Sequence, residues 1–382
     1  MTPEILLIDN QGLSHYTCYL AKGLSKYKNI MLIGFSEKDC THTETIPNEK
    51  VKISYITQAV KQNSSLFNKI VTRPFNILRF LFRYIVFNNY KIIHIQGHLP
   101  LFFLYLPFIK IKKIKLVWTI HDVELRPSSP GLRGKLETAY VGLITQTRIL
   151  MKASDKIIVH GKTLKRQLIT KGVKERKIEY MHHFDYLYLK KYIINSTLIN
   201  NKDYLLFFGN IKPYKGLDLF LKSLELVEKQ VDHDRINVLI AGKGNLDPYQ
   251  TLLKGNKLKY VKIRNDNIPE EEIPAIFSKA LVVVLPYHEA SQSGIIPLAY
   301  TFSKPVIVSD VGALMDSVEA GKTGFIFKKG DIGELANYII NFVNNPELSQ
   351  EMGKNAFKKL SHDMSLEYCS GLINSIYEEL LL

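Results

Sequence analysis

Two lysines stand in a short loop bounded by glycines. The loop, residues 209–216, reads Gly-Asn-Ile-Lys-Pro-Tyr-Lys-Gly and carries Lys212 and Lys215 between an apolar run and a helical pattern. Ammonium groups and the open amides at the start of a helix attract the same anion. The loop is therefore a candidate diphosphate site, with ordinary exposed lysines as the alternative.

A second loop with similar potential lies later in the chain. Glu289 follows an apolar run, and residues 293–295 come just before Pro297. Proline has no N–H and belongs in a first helical turn, which predicts a helix start near residue 293. We expect the amides of residues 294–296 to be unpaired and open to an anion. Glu289 is either an acceptor for sugar hydroxyls or a surface carboxylate.

The first half of the chain carries histidines and a glycine next to apolar runs. His98 and His121 follow such runs, Asp122 stands beside His121, and Gly12 lies between a run and a helical pattern. Histidine exchanges protons or holds hydroxyls, and a glycine lets amides approach an anion. A structural histidine and an ordinary turn are the alternatives. His94, inside a run, is predicted to be a core histidine.

Most of these candidate residues lie shortly after a predicted strand. Short runs rich in Ile, Val, Leu and Phe alternate with helical patterns, which is typical of βαβ units in an open, doubly wound parallel sheet. Ligands bind such sheets beyond the carboxyl ends of the strands. The predicted strands are residues 5–8, 92–95, 116–120, 157–159, 205–208, 238–241, 281–285, 306–308 and 325–327.

These strands are too many for one sheet, and a polar, Asn-rich stretch at residues 190–203 divides them. We predict two Rossmann-like domains, residues 1–198 and 199–364. Residues 365–382 have an amphipathic helical pattern. We expect this C-terminal helix to pack back on the first domain.

The composition restricts the class of protein. The 51 Lys and Arg exceed the 36 Asp and Glu, for a net charge of +15, which requires an anionic partner or surface. The three cysteines have no paired spacing, which argues against a disulfide framework and a zinc site. The Asp-His-Asp sequence at residues 232–234 precedes a strand and is predicted to be a solvated turn. The first residues lack a signal-peptide pattern and no apolar run is long enough to span a bilayer, so we expect a cytoplasmic protein.

The excess charge is concentrated in one stretch. Residues 50–121 contain no Asp or Glu, and aromatic residues alternate with basic ones. A helix there would carry Asn76, Arg79 and Arg83 on one face. Such a helix suits an anionic membrane surface, which we favour. A core helix with a basic edge is the alternative, and single-stranded nucleic acid ranks last because no nucleic-acid motif is present.

Taken in order, several segments resemble the retaining, nucleotide-sugar-dependent glycosyltransferases of family 4, which have the GT-B fold. The resemblance covers most of the chain. The segments are WTIHD (118–122), ASDKIIVH (153–160), FFGNIKPYKGLD (207–218), LIAGKG (239–244), LPY (285–287), QSG (292–294), KPVIV (304–308) and GKTGF (321–325).

The resemblance implies that the C-terminal domain binds a UDP- or GDP-sugar, that the N-terminal domain binds the acceptor, and that neither a metal nor a further cofactor is needed. It also implies a role for each matching residue. Lys215 would bind the diphosphate of the donor, together with Asn210 and Lys212. The same diphosphate would be capped by Ser293, Gly294 and Ile295 and lined by Gly12. His121 and Glu289 would lie near the reacting sugar, and His98 and Asp122 would face the acceptor.

Two positions depart from the family pattern. Asn210 replaces the usual phosphate-binding Arg, and the second Glu is Pro297 or Leu298, depending on the alignment. We expect a hexosyltransferase of surface polysaccharide or glycoconjugate biosynthesis, peripheral on the inner membrane face, with a saccharide or lipid-linked acceptor. A GT-B sugar-nucleotide 2-epimerase and a non-catalytic lipid- or polyanion-binding relative are the alternatives.

Overall fold

The computed structural model describes residues 2–9, 14–34, 49–55, 73–123, 139, 141–143, 145–195, 203–254 and 257–382. The chain divides into two compact units, each built on its own parallel sheet. The first unit comprises Met1–Met181 with Leu366–Leu382, and the second comprises His182–Ser365. Among the described residues, no helix combines the length and the apolar character that a bilayer span requires.

The first unit contains a seven-stranded parallel sheet in the order β3-β2-β1-β4-β5-β6-β7. Its central strands β1 and β4 are buried along their whole length, as the continuous apolar runs predict. The strands are β1 Ile5–Asp9, β2 Ile30–Gly34, β3 Val51–Tyr55, β4 Ile92–Gln96, β5 Lys115–Ile120, β6 Lys156–Val159 and β7 Ile178–Tyr180. The helices before residue 181 include α1 Ser14–Leu24, α2 Arg73–Phe87, α3 Leu106–Ile111, α4 Thr147–Ala153 and α5 Lys162–Thr170.

The second unit contains a six-stranded parallel sheet in the order β10-β9-β8-β11-β12-β13. Strand β11, ALVVVL in sequence, is fully buried at its centre. The strands are β8 Tyr204–Phe208, β9 Val238–Ala241, β10 Val261–Arg264, β11 Ala280–Leu285, β12 Val306–Ser309 and β13 Gly324–Phe327. The helices are α6 Leu217–Val227, α7 Lys257–Tyr260, α8 Ile273–Ser278, α9 Ile295–Thr301, α10 Ile332–Asn344 and α11 Pro346–Asp363.

The last helix, α12 Leu366–Leu381, belongs to the first unit. Its Tyr377 hydroxyl lies 2.6 Å from the Nδ1 atom of His94, whose Nε2 atom lies 2.7 Å from the Thr119 hydroxyl. Burial lowers the pKa of His94 to about 3, so the ring is neutral. The prediction that His94 is a core histidine is confirmed.

The second unit begins earlier than the domain boundary that the sequence predicts. Residues 182–195 follow β7 and belong to this unit, whereas the prediction ends the first domain at residue 198. Tyr186, Tyr188 and Tyr192 pack against its core, and Leu189 is part of it. The apolar residues before the Asn-rich stretch therefore belong to the second unit, and residues 196–202 lie outside the described residues.

In both sheets the strand order reverses at one point, between β1 and β4 in the first unit and between β8 and β11 in the second. At such a reversal the connections on either side leave for opposite faces of the sheet, which opens a crevice beyond the carboxyl ends of the two strands. The loops after β8 and β11, and those after β1 and β4, are therefore where ligands are expected.

Candidate functional site

The loop after β8 places Lys215 over the end of that strand. A short 3-10 turn, Pro213–Lys215, leads from the loop towards α6. Gly209 has a φ of +98°, and a Cβ atom on this residue would lie 2.8 Å from the Lys215 Nζ atom. A glycine adopts this backbone conformation without strain and leaves the space that the ammonium group occupies.

The ammonium group of Lys215 lacks an acidic partner among the residues that the structure describes. Burial lowers the pKa of Lys215 to about 8, and burial is the single cause of this shift. A desolvated cation is costly unless an anion neutralises it. The Lys215 ammonium group therefore has the charge and the desolvation to bind an anion that the described residues do not supply.

The loops after β8 and β11 are held together at the point where the strand order reverses. The His288 amide donates to the Tyr214 carbonyl at 2.8 Å, and the His288 Nε2 atom lies 2.8 Å from the Asp218 Oδ1 atom. Glu289 follows, with its amide 3.5 Å from the same Tyr214 carbonyl and its side chain exposed. These contacts place Glu289 at the same strand-exit edge as Lys215.

Tyr287 connects the lysine loop to the segment before α9. Its ring centre lies 5.8 Å from the Lys215 Nζ atom, and its hydroxyl lies 3.5 Å from the Ser293 hydroxyl. The Cδ1 atom of Ile295 lies 3.8 Å from the position of a Cβ atom on Gly209. The structure thus places Lys215 and Ser293 beside Tyr287, and Lys215 and Ile295 beside Gly209.

Asn210 and Lys212 flank a buried residue of the lysine loop. Ile211 donates its amide to the Lys243 carbonyl at 2.9 Å and is buried, whereas Asn210 and Lys212 are exposed. Their side chains are thus available to a ligand in solution.

The expected set of unpaired amides before α9 is only partly present. The Ser293 hydroxyl accepts from the Ile295 amide at 3.2 Å, and the Ser293 carbonyl accepts from the Ile296 amide at 3.4 Å. The helix begins at Ile295, not at residue 293. The prediction of open amides is therefore wrong for Ile295 and Ile296, because a serine just before a helix satisfies the first amides with its own oxygen atoms.

Gly294 contacts two aromatic residues that the sequence analysis did not select. A Cβ atom on Gly294 would lie 2.7 Å from the Tyr186 hydroxyl oxygen and 3.7 Å from the His183 ring. The Tyr186 and His183 rings stack with centroids 5.9 Å apart. Strand β7 ends at Tyr180, just before these residues, so the strand-exit criterion would have found them if β7 had been predicted.

In the first unit, His121 forms a pair with His160. The two histidines follow the neighbouring strands β5 and β6, in which Ile120 is paired with Val159. The His160 Nε2 atom lies 3.1 Å from the His121 Nδ1 atom, and both residues are buried. His160 was not selected from the sequence, although it occupies the same strand-exit position as His121.

The two candidate acceptor residues lie side by side at the exits of β4 and β5. The His98 Nε2 atom donates to the backbone carbonyl of Asp122 at 3.2 Å, and the ring packs edge-on against Trp118. Burial lowers the pKa of His98, so its ring is neutral, whereas the Asp122 side chain is exposed. Gly12 lies outside the described residues.

In the Asp-His-Asp sequence at residues 232–234, Asp232 precedes a short 3-10 segment, His233–Arg235, that lies before β9, and all three residues of the sequence are exposed. This confirms the prediction of a solvated turn at the entrance of a strand.

Two Rossmann-like units, each with polar side chains at a reversal of strand order, define the GT-B fold. The structure of HepE from Anabaena in complex with UDP-glucose has this fold, and its similarity to the chain has a TM-score of 0.65. It is 17% identical, over 99% of this chain and 98% of that one.

Two family models match the sequence. The model described as Glycosyltransferase Family 4 matches residues 11–184, and the model described as Glycosyl transferases group 1 matches residues 190–359. The chain therefore belongs to the family 4, group 1 glycosyltransferases, and the resemblance inferred from its motifs is confirmed.

Curated relatives agree with this assignment. An uncharacterized glycosyltransferase of Methanocaldococcus jannaschii is 29% identical over 230 residues, which are 59% of this chain and 60% of the relative. The match thus spans less than two thirds of that protein. The capsular polysaccharide biosynthesis glycosyltransferase CapM of Staphylococcus aureus is 24% identical over 268 residues, 66% of this chain and 69% of CapM.

Proposed function

We propose that the protein is a retaining glycosyltransferase that moves a hexose or hexose derivative from a nucleoside diphosphate donor to a saccharide or lipid-linked acceptor. The observation that carries this proposal is the Lys215 ammonium group, which is desolvated beside Gly209 at the exit of β8. A diphosphate supplies the negative charge that this cation lacks within the described residues.

The donor is a UDP- or GDP-sugar, with the diphosphate on Lys215 and the loop of residues 293–295. The UDP-glucose bound to HepE supports UDP-glucose as the first donor to test. CapM takes part in capsular polysaccharide biosynthesis, which supports a precursor of a surface polysaccharide as the acceptor. Asn210 and Lys212, exposed on the same loop, are candidates for further contacts with the donor.

In the proposed reaction, the bond between the anomeric carbon and the diphosphate oxygen breaks while the acceptor oxygen attacks from the same face. The proton of the acceptor hydroxyl passes to the departing phosphate, so the nucleoside diphosphate leaves with the bonding electron pair and that proton. Lys215 stabilises the charge that develops on the leaving group. His121 and Glu289 are the candidate contacts to the sugar, and His98 and Asp122 to the acceptor.

A surface formed by α2 and α3, which we call the α2–α3 patch, supports action at a membrane. Residues Ile77, Leu81 and Ile85, spaced four apart, bury one side of α2. The other side exposes large apolar residues between basic ones. The patch comprises Phe75 (64% exposed), Phe82 (43%), Phe87 (74%), Phe108 (39%) and Ile111 (78%), with the exposed Arg79, Arg83, Lys110 and Lys113.

The rings of the α2–α3 patch lie close to one another. The Phe82 ring centre lies 5.9 Å from that of Phe87 and 6.3 Å from that of Phe108. A contiguous exposed apolar patch marks an interaction site, and the arginines among its rings suit lipid phosphates. We therefore propose that the enzyme is peripheral on an anionic cytoplasmic membrane face, where a lipid-linked acceptor would be found.

The proposal is tested by incubating the protein with UDP- and GDP-hexoses, with and without a polyprenyl-diphosphate saccharide. The configuration at the anomeric carbon of the transferred sugar in the product is determined by NMR. Acceptor-dependent release of nucleotide, with the donor's configuration kept in the product, supports the proposal. Conversion of the donor without an acceptor indicates an epimerase, and donor binding without turnover indicates a non-catalytic relative; either result contradicts the proposal.

A further inference from the structure

His121 has a second histidine as its neighbour inside the first unit. The His121 and His160 rings stack with centroids 4.9 Å apart and planes inclined by 30°, and the His160 Nε2 atom lies 3.1 Å from the His121 Nδ1 atom. The pairing of Ile120 with Val159 brings the two residues after β5 and β6 to the same level of the sheet. The contact is therefore a consequence of strand register.

A hydrogen bond between two neutral imidazoles needs one N–H group and one lone pair. If His160 donates, the His121 Nδ1 atom accepts and its proton must sit on Nε2. If His160 accepts, His121 carries its proton on Nδ1 and its Nε2 atom is an acceptor. When both rings are neutral, the tautomer of His121 is thus coupled to that of His160: the Nε2 atom of His121 donates when His160 donates and accepts when His160 accepts.

Tyr16, on α1, holds both rings in place. Its ring packs edge-on against His121 with centroids 5.1 Å apart, and against His160 with centroids 5.5 Å apart. His121 is 4% exposed and His160 is 3% exposed. A ring packed on two sides in this way has little freedom to flip and exchange its two nitrogen atoms.

We propose that His160 is a positioning residue that fixes the ring orientation of His121 and couples the tautomer of His121 to its own. The inference rests on the proposed function to the extent that His121 faces the reacting sugar. A sugar hydroxyl both donates and accepts, so each tautomer of the coupled pair would select a different orientation of that hydroxyl at the His121 ring.

The test compares His160→Phe with His160→Gln. Phenylalanine keeps a ring beside Tyr16 but has no nitrogen atom, whereas glutamine carries an amide that can either donate or accept. Two-bond 1H–15N spectra of histidine-labelled protein report the tautomer of His121, with neutral, buried His94 as an internal reference. The control is His233→Gln, an exposed residue of the second unit.

We expect the Nδ1 atom of His121 to be hydrogen-bonded in the wild type and in His160→Gln, and the balance of the two His121 tautomers to change in His160→Phe, where Nδ1 loses this partner. Turnover of His160→Phe should fall about 10- to 100-fold, since one buried hydrogen-bond partner is lost, with a smaller change in donor KM. An unchanged His121 tautomer in His160→Phe overturns the inference. A changed balance of His121 tautomers with full turnover supports the inference about His160, but contradicts the role of His121 in the proposed reaction.

Discussion

Lys215 differs from Lys212, the other basic residue of the lysine loop, because of where its charge lies. Lys212 is exposed, whereas the Lys215 ammonium group is desolvated above Gly209 and beside the Tyr287 ring. Removing a cation from water has a cost that binding of an anion recovers. An exposed lysine gains less from the same anion, because water screens it.

Replacing Lys215 should therefore affect donor binding and turnover together. We expect Lys215→Ala to weaken UDP binding about 10- to 100-fold, because a charged hydrogen bond to phosphate is lost. Isothermal titration calorimetry measures this change. The matched control is Lys222→Ala on α6, where the lysine lies 3.8 Å from Asp218 and is exposed. Equal UDP affinities in wild type and Lys215→Ala would contradict the assignment.

The lowered pKa of Lys215, about 8, makes donor binding depend on pH. The free protein loses this proton as the pH rises through that value, whereas a bound diphosphate favours the charged form. Nucleotide binding should therefore take up a proton above the pKa, and affinity should fall as the pH rises. Calorimetry at about pH 9, in buffers of different ionisation enthalpy, measures the uptake. The same uptake in Lys215→Ala would show that another group is responsible.

Gly294 leaves room for the Tyr186 hydroxyl group, whether or not its amide also contacts a ligand. A Cβ atom there would lie 2.7 Å from the Tyr186 hydroxyl, so Gly294→Ala should lower the free energy of unfolding by about 1–3 kcal/mol through overpacking. Tyr186→Phe removes the oxygen, and the double variant should regain most of the loss in urea denaturation. Additive losses in the two single variants would argue against this contact.

The residues of the candidate site could be predicted from the sequence to the extent that they follow apolar strands. Lys215, Glu289 and His121 were found in this way. The hydrogen bonds from the Ile295 and Ile296 amides to Ser293 could not be predicted from the sequence, since they depend on backbone geometry. The contact between His121 and His160 depends on register, which joins residues distant in sequence.

At the scale of elements, the nine predicted strands are all present, and four other strands among the described residues were missed. Strands β3, β7 and β10 lie at sheet edges, where one side is solvated and polar residues interrupt the apolar run, as in VKISY, IEY and VKIR. These three edge strands have no apolar run for a pattern to detect, whereas the edge strand β13, GFIF, has one and was predicted. Strand β2, IMLIG, is as apolar as the predicted strands, so its pattern was sufficient to identify it.

The α2–α3 patch is the element whose role is easiest to separate from catalysis. Each arginine near an anionic membrane contributes about 1 kcal/mol to binding, so Arg79→Glu with Arg83→Glu should lower binding to phosphatidylglycerol vesicles about tenfold or more. Flotation measures the bound fraction. Lys171→Glu with Lys174→Glu is the control, because these exposed lysines of the same unit undergo the same charge change. Equal flotation of the two double variants would contradict membrane docking by the patch.

At the scale of the whole molecule, the two units repeat one arrangement. Each has a parallel sheet whose strand order reverses once, and each carries its candidate side chains at the strand exits. The two family models match one unit each over most of its length. The division of the chain into two Rossmann-like units could be predicted, because two sets of apolar strands are separated by a polar stretch. The position of the boundary could not be predicted from the sequence. Residues 182–195 pack with the second unit, although most of them precede the polar stretch that suggested the boundary.

The most direct test is a crystal structure of the protein with bound UDP. We expect a phosphate oxygen within about 3 Å of the Lys215 Nζ atom, with the diphosphate over Gly209 at the exit of β8. A nucleotide bound elsewhere, with the Lys215 ammonium group away from every phosphate, would contradict the assignment of this loop as the donor site.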